Sequence, residues 1–94
     1  MREADVERYF VRKVREAGGL PLKFAPPGWA GAPDRIVLLP GGRTVFVELK
    51  APGKKMRPLQ VKRAKTLEGL GFQVYCLDSK EAITAFVSEV CHEV

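Results

Sequence analysis

Chemistry in this sequence is most plausible where acidic and amide side chains interrupt apolar patterns. Glu48 lies inside VFVELKA, an otherwise apolar run, and Lys50 follows two residues later. Strand side chains repeat with a period of two, so both project to one face. The preceding apolar run, Arg35 to Leu39, begins just after Asp34, and Pro40-Gly41-Gly42 separates the two runs as a hairpin turn. Counting back from a three-residue turn sets Leu39 opposite Arg43, Ile36 opposite Phe46 and Asp34 opposite Glu48. Directly opposed side chains stand about 5 Å apart on a shared face. Two carboxylates so placed repel each other unless something positive lies between them. A hard divalent cation such as Mg²⁺ or Mn²⁺ suits these oxygen donors. Lys50 neutralising both acids in a buried ion network is the structural alternative.

Two helices must bring further polar groups to the same end of the hairpin. Residues 3 to 17 read as an amphipathic helix with Val6, Phe10, Val14 and Ala17 inward and Arg8, Arg12, Arg15 and Glu16 outward, stopped by Gly18-Gly19. At about 100° per residue, Glu7 lies roughly 20° from Val14 and roughly 60° from Phe10, on the apolar side. A carboxylate there is paired, protonated or metal-bound. A second helix opens at Pro58 and runs to Leu70, closed by Gly71, with Leu59, Ala64, Leu67 and Leu70 as its inner face. Gln60 points near the centre of that face from the first turn, where it either reaches the hairpin end or caps a backbone group.

The remaining elements follow from local signals. Leu20 to Phe24 is a short strand, APPGWAGAP over 25 to 33 a loop, APGKKMRP over 51 to 58 a basic loop, and Phe72 to Leu77 a strand. Ser79 is the expected N-cap of a last helix carrying Ile83, Phe86, Val87 and Val90. The order α, β, β, β, α, β, α combines a hairpin with one helical crossover. It predicts an α/β fold: a small mixed sheet flanked by helices.

The whole chain, 94 residues, is the right size for one domain spanning 1–94. Its hydrophobic share of 46% and charged share of 29% exclude a disordered chain. No apolar run is long enough to cross a bilayer, and the N-terminus has no apolar core of a secretory signal. Two cysteines, Cys76 and Cys91, are too few for a disulfide framework or a zinc site. A reduced cytosolic setting is expected, in a bacterium or a virus-infected cell. Sixteen Lys and Arg against 11 acidic residues give a net charge of +5, which favours polyanionic partners. His92 has no partner pattern and is expected to be incidental.

Together, Pro33-Asp34, Glu48-Leu49-Lys50, the upstream helical Glu7 and the downstream helical Gln60 resemble the PD-(D/E)XK nuclease superfamily. More narrowly, the chain is similar over nearly its whole length to the stand-alone virus-type replication-repair nuclease, or VRR-NUC, domain. The resemblance implies a restriction-endonuclease-like αβββαβ core with a C-terminal helix. It also implies hydrolysis of phosphodiesters with Mg²⁺ or Mn²⁺. In this pattern Asp34, Glu48 and the backbone carbonyl of Leu49 are metal ligands, assisted by Glu7. Lys50 orients or activates the attacking water, and Gln60 steadies Lys50 or the substrate. No motif position departs from the pattern.

Beyond the motif, Lys54, Lys55 and Arg57 of the basic loop and Lys62, Arg63 and Lys65 of the second helix are candidate phosphate contacts, with salt-sensitive affinity. Trp29 either stacks on an unpaired base or covers the core. No sequence-reading module is visible, so the expected substrate is DNA recognised by shape: flaps or four-way junctions. The resemblance further implies a homodimer, since two cuts related by a twofold axis need two sites. Two rival readings share the fold. One is a non-catalytic basic DNA-binding module; the other is a nuclease subunit targeted by a partner protein.

Overall fold

The computed structural model describes residues 1–91, and His92 lies outside them. Helix α1 (Glu3–Glu16) leads into strands β1 (Leu20–Lys23), β2 (Arg35–Leu39) and β3 (Arg43–Leu49), then helix α2 (Pro58–Gly69), strand β4 (Gln73–Leu77) and helix α3 (Lys80–Phe86). A π-helical turn (Val87–Cys91) continues α3. The four strands form one sheet in the order β1-β2-β3-β4. The first three are antiparallel; β4 runs parallel to β3 because α2 carries the chain back to the start of the sheet. The expected small mixed sheet with flanking helices is therefore present.

Local chemistry explains the boundaries. Gly41 and Gly42 take positive φ in the tight turn Pro40–Gly42, which fixes the hairpin register. Arg35 then pairs with Val47, Ile36 with Phe46 and Leu39 with Arg43, the alignment expected from the sequence. Ser79 Oγ accepts a hydrogen bond from the Ala82 N–H, as an N-cap should.

The core lies on one face of the sheet. Val6, Phe10 and Val14 of α1 meet Val37, Leu39, Val45, Val47 and Leu49, with Ile83 and Phe86 of α3 closing the layer. Alternation along each strand sends the other residues to the opposite face, where α2 lies beside β4. There Phe46 packs against Phe24 and Phe72, with ring centroids 5.1 and 5.3 Å apart.

The inner face of α2 is narrower than its sequence suggests. Ala64 and Leu67 are buried, whereas Leu59 and Leu70 are exposed. Leu70 has passed the last helical turn and sits at the C-cap. Leu59 turns toward the 25–33 loop, where a Cβ added to Gly31 would stand only 2.7 Å from Leu59 Cγ. Phe24 and Phe72, expected inside strands, lie one residue beyond β1 and one residue before β4. No helix among the described residues is long and apolar enough to cross a membrane.

Candidate active site

The end of the hairpin gathers the polar residues on the α2 face. Asp34 precedes β2, and its place in the register sets it opposite Glu48. Its backbone is held by the Phe24 N–H, which donates to the Asp34 carbonyl at 2.9 Å. Its side chain is held by the Leu49 N–H, which donates to Asp34 Oδ2 at 2.9 Å. The first acid is thus tied to the residue between Glu48 and Lys50.

Glu48 is only 2% exposed. Lys50 Nζ lies 3.2 Å from Glu48 Oε2, and Gln60 Nε2 donates to the same oxygen at 2.7 Å. The other oxygen, Oε1, is buried with no hydrogen-bond partner among the described residues. Burial pushes the Glu48 carboxyl above the ordinary value, and the Asp34 charge adds to that push; Lys50 works against both. A buried carboxylate oxygen left bare is costly unless something positive meets it.

Gln60 plays both parts that its position allows. It is the third residue of α2, and its Oε1 accepts from the Arg57 N–H at 2.8 Å, satisfying a free donor at the helix start. Its Nε2 is thereby turned toward Glu48. A backbone cap and an active-site contact share one amide.

Glu7 is not brought into this group. It projects from α1 on the other face of the sheet, where its Oε1 lies 3.5 Å from Arg35 Nη2. Arg35, buried beneath α1, also donates from Nη1 to the Pro21 carbonyl at 2.9 Å. Side-chain alternation accounts for the separation: Arg35 follows Asp34 directly and so points the opposite way.

The basic residues divide. Lys54, Lys55, Arg57, Lys62 and Lys65 are exposed. Arg63 is occupied: its Nε donates to the Ala30 carbonyl at 2.8 Å, and its guanidinium lies 5.0 Å from the centre of the Trp29 ring. It clamps the loop that leads into Asp34. The basic loop is anchored too, since the Gly53 N–H donates to Asp78 Oδ2 at 3.2 Å.

Sequence reasoning missed two neighbours. Cys76 pairs with Glu48 across the parallel β3–β4 ladder; it is exposed, and loss of water on its sheltered side together with the Glu48 charge raises its thiol pKa. Asp78 follows at the end of the same strand. Neither is signalled locally, because the register of a parallel pair depends on how the crossover helix packs.

The donors suited to a cation are two carboxylates and a peptide carbonyl. Among the described residues no three His, Cys, Asp or Glu side chains converge on one point. The bare Glu48 Oε1 and the all-oxygen donor set nevertheless fit a hard divalent ion at the Asp34–Glu48 edge.

Comparison with known proteins agrees with this fold. The chain is 47% identical over 81 residues to "Putative nuclease p44" of Acyrthosiphon pisum secondary endosymbiont phage 1, a match covering 86% of this chain and 87% of that protein. A solved structure described as a VRR_NUC domain superposes with a TM-score of 0.87 at 27% identity, covering 96% of this chain and 99% of that one. No family model matches the chain. The fold is that of the PD-(D/E)XK superfamily, and within it the chain belongs to the VRR-NUC family.

Proposed function

We propose that this protein is a divalent-metal-dependent endonuclease that hydrolyses phosphodiester bonds in branched DNA, four-way junctions or flaps, and that it acts as a homodimer. The observation carrying the reading is the buried Glu48 carboxylate across the hairpin from Asp34, with one oxygen shared by Lys50 and Gln60 and the other without a partner among the described residues.

Asp34, Glu48 and the Leu49 carbonyl would hold Mg²⁺ or Mn²⁺. Such an ion offsets the phosphate charge, makes water more acidic and steadies the departing oxygen. The protein's own groups do the positioning. The Leu49 N–H fixes the Asp34 carboxylate. Gln60 holds Glu48 Oε2 and leaves the second oxygen open. Lys50 contributes a positive charge beside the carboxylates, where it can orient water and stabilise charge that builds up on the phosphate. Glu7 lies against Arg35 on the opposite face, so the proposed ligand set is Asp34, Glu48 and the Leu49 carbonyl without it. Lys54, Lys55, Arg57, Lys62 and Lys65 form an exposed basic strip for flanking phosphates, and Arg63 shapes the adjoining loop.

An uncovered part of the sheet supports the dimer. Leu20, Leu22 and Leu38 are 46%, 40% and 38% exposed. Leu20 pairs with Leu38, and Leu22 with Ile36, so these side chains share the α2 face where α2 does not reach. A contiguous apolar patch of this kind fits a protein–protein contact.

The test compares cleavage of a four-way junction, a flap and a linear duplex in Mg²⁺ or Mn²⁺. Wild type should cut the branched DNAs preferentially. Glu48→Ala should lose at least about a hundredfold in cleavage while keeping most of its binding. Equal cutting of all three DNAs would refute shape selectivity. Binding without any cutting by wild type would favour the DNA-binding module.

A further inference from the structure

The sheet face turned away from Glu48 carries a second electropositive feature. A cleft of about 880 Å³ is lined by Arg8, Tyr9 and Arg12 of α1, Arg35 of β2 and Lys80 of α3, with Asp5 and Glu7 on the same wall. Both carboxylates are already matched. Asp5 lies 2.5 Å from Arg8 and 3.7 Å from Arg2, and Glu7 lies 3.5 Å from Arg35. The other cations are poorly matched. Arg12 has only a 3.8 Å approach to the exposed Glu16, and Lys80 has no carboxylate partner among the described residues. Arg12 and Lys80 crowd one ring, each 5.4 Å from the centre of Tyr9; Lys13, paired with Glu16 at 3.5 Å, stands outside the cleft 5.7 Å from the same ring. Cations so gathered repel one another and are relieved by an anion.

Arg35 supplies an independent sign. It is 8% exposed and lines the cleft; Nη1 and Nη2 reach the Pro21 carbonyl and Glu7, but its Nε has no hydrogen-bond partner among the described residues. A buried guanidinium with an open donor is unfavourable until an acceptor arrives. Arg35 also follows Asp34 in the chain, so the cleft begins one residue from the carboxylate pair, on the far side of β2.

We propose that this cleft is a second binding site for a nucleic-acid phosphate backbone. It would take the strand that runs past the Asp34–Glu48 edge, with Arg12 and Lys80 contacting phosphates and Arg35 at the floor. Cations spread over α1, α3 and β2 suit a run of phosphates better than one small anion. The choice of ligand rests on the nuclease reading, and it places DNA contacts on both faces of the sheet rather than on the α2 side alone.

The test uses the full chain with Arg12→Ala and Lys80→Ala combined; both positions are exposed and neither belongs to the carboxylate site. Binding of a fluorescein-labelled four-way junction is followed by anisotropy in Ca²⁺ over a salt series, and cleavage is measured in Mg²⁺ at saturating DNA. The variant should bind about tenfold more weakly, its log–log salt dependence should be shallower by about two, and kcat should be unchanged. A Kd within about twofold of wild type with the same salt slope overturns the proposal. So does a fall in kcat with Kd held. Wild type that binds the junction but never cuts it would sink the nuclease reading, while the binding comparison would still decide on this cleft.

Discussion

At the scale of single residues, Glu48 sets the behaviour of the site. Its carboxyl is raised by burial first and by Asp34 second. Between the ordinary value near 4.5 and its raised value, the folded protein therefore binds more protons than the unfolded chain. Stability without metal should fall as pH climbs through that window. Urea denaturation in EDTA across the window should show this decline in wild type and a weaker one in Glu48→Gln. Cation affinity should move the other way, rising with pH because binding requires the ionised carboxylate; calorimetric titration with Mn²⁺ at several pH values checks it. Asp5 behaves oppositely. Its carboxyl is held low, chiefly by the Arg2 backbone N–H, so its contribution is present above the ordinary value and is lost as pH falls through the lowered one.

At the scale of elements, the site depends on how α2 meets the loop before Asp34. Arg63 reaches from the helix to Ala30 and Trp29, and Leu59 packs against Gly31. Arg63→Ala should cost about 1 kcal/mol of stability. It should also shift the emission of Trp29 to the red, a clean signal because the chain has one tryptophan. Cleavage should fall through kcat as the loop that carries Asp34 loosens. An unchanged emission maximum would mean that Arg63 does not hold the loop. Arg63, expected as a phosphate contact, is engaged in a clamp that its helical position did not announce.

At the scale of the whole molecule, one sheet face packs its apolar residues under α1 and α3, and the other is covered by α2 only on the β4 side. The leucines of β1 and β2 stay exposed, and they form the face of the proposed dimer. Leu38→Lys should convert the proposed dimer to a monomer in light scattering, with little loss of fold because that side chain is already 38% exposed. It should also abolish paired cutting of a four-way junction while leaving single nicks. A monomeric wild type would remove the dimer from the proposal.

The hairpin end was legible in the sequence because its determinants are local. A three-residue glycine turn and a strict two-residue alternation fix which side chains oppose each other, and that alone places Asp34 across from Glu48. The first-turn position of Gln60 was legible for the same reason. The tertiary structure alone decided the rest: Glu7 against Arg35, Arg63 against Ala30, and Cys76 beside Glu48. These contacts join residues distant in the chain, and their geometry follows from how helices settle on the sheet. Periodicity shows which face of a helix turns inward, but not which partner that face will meet.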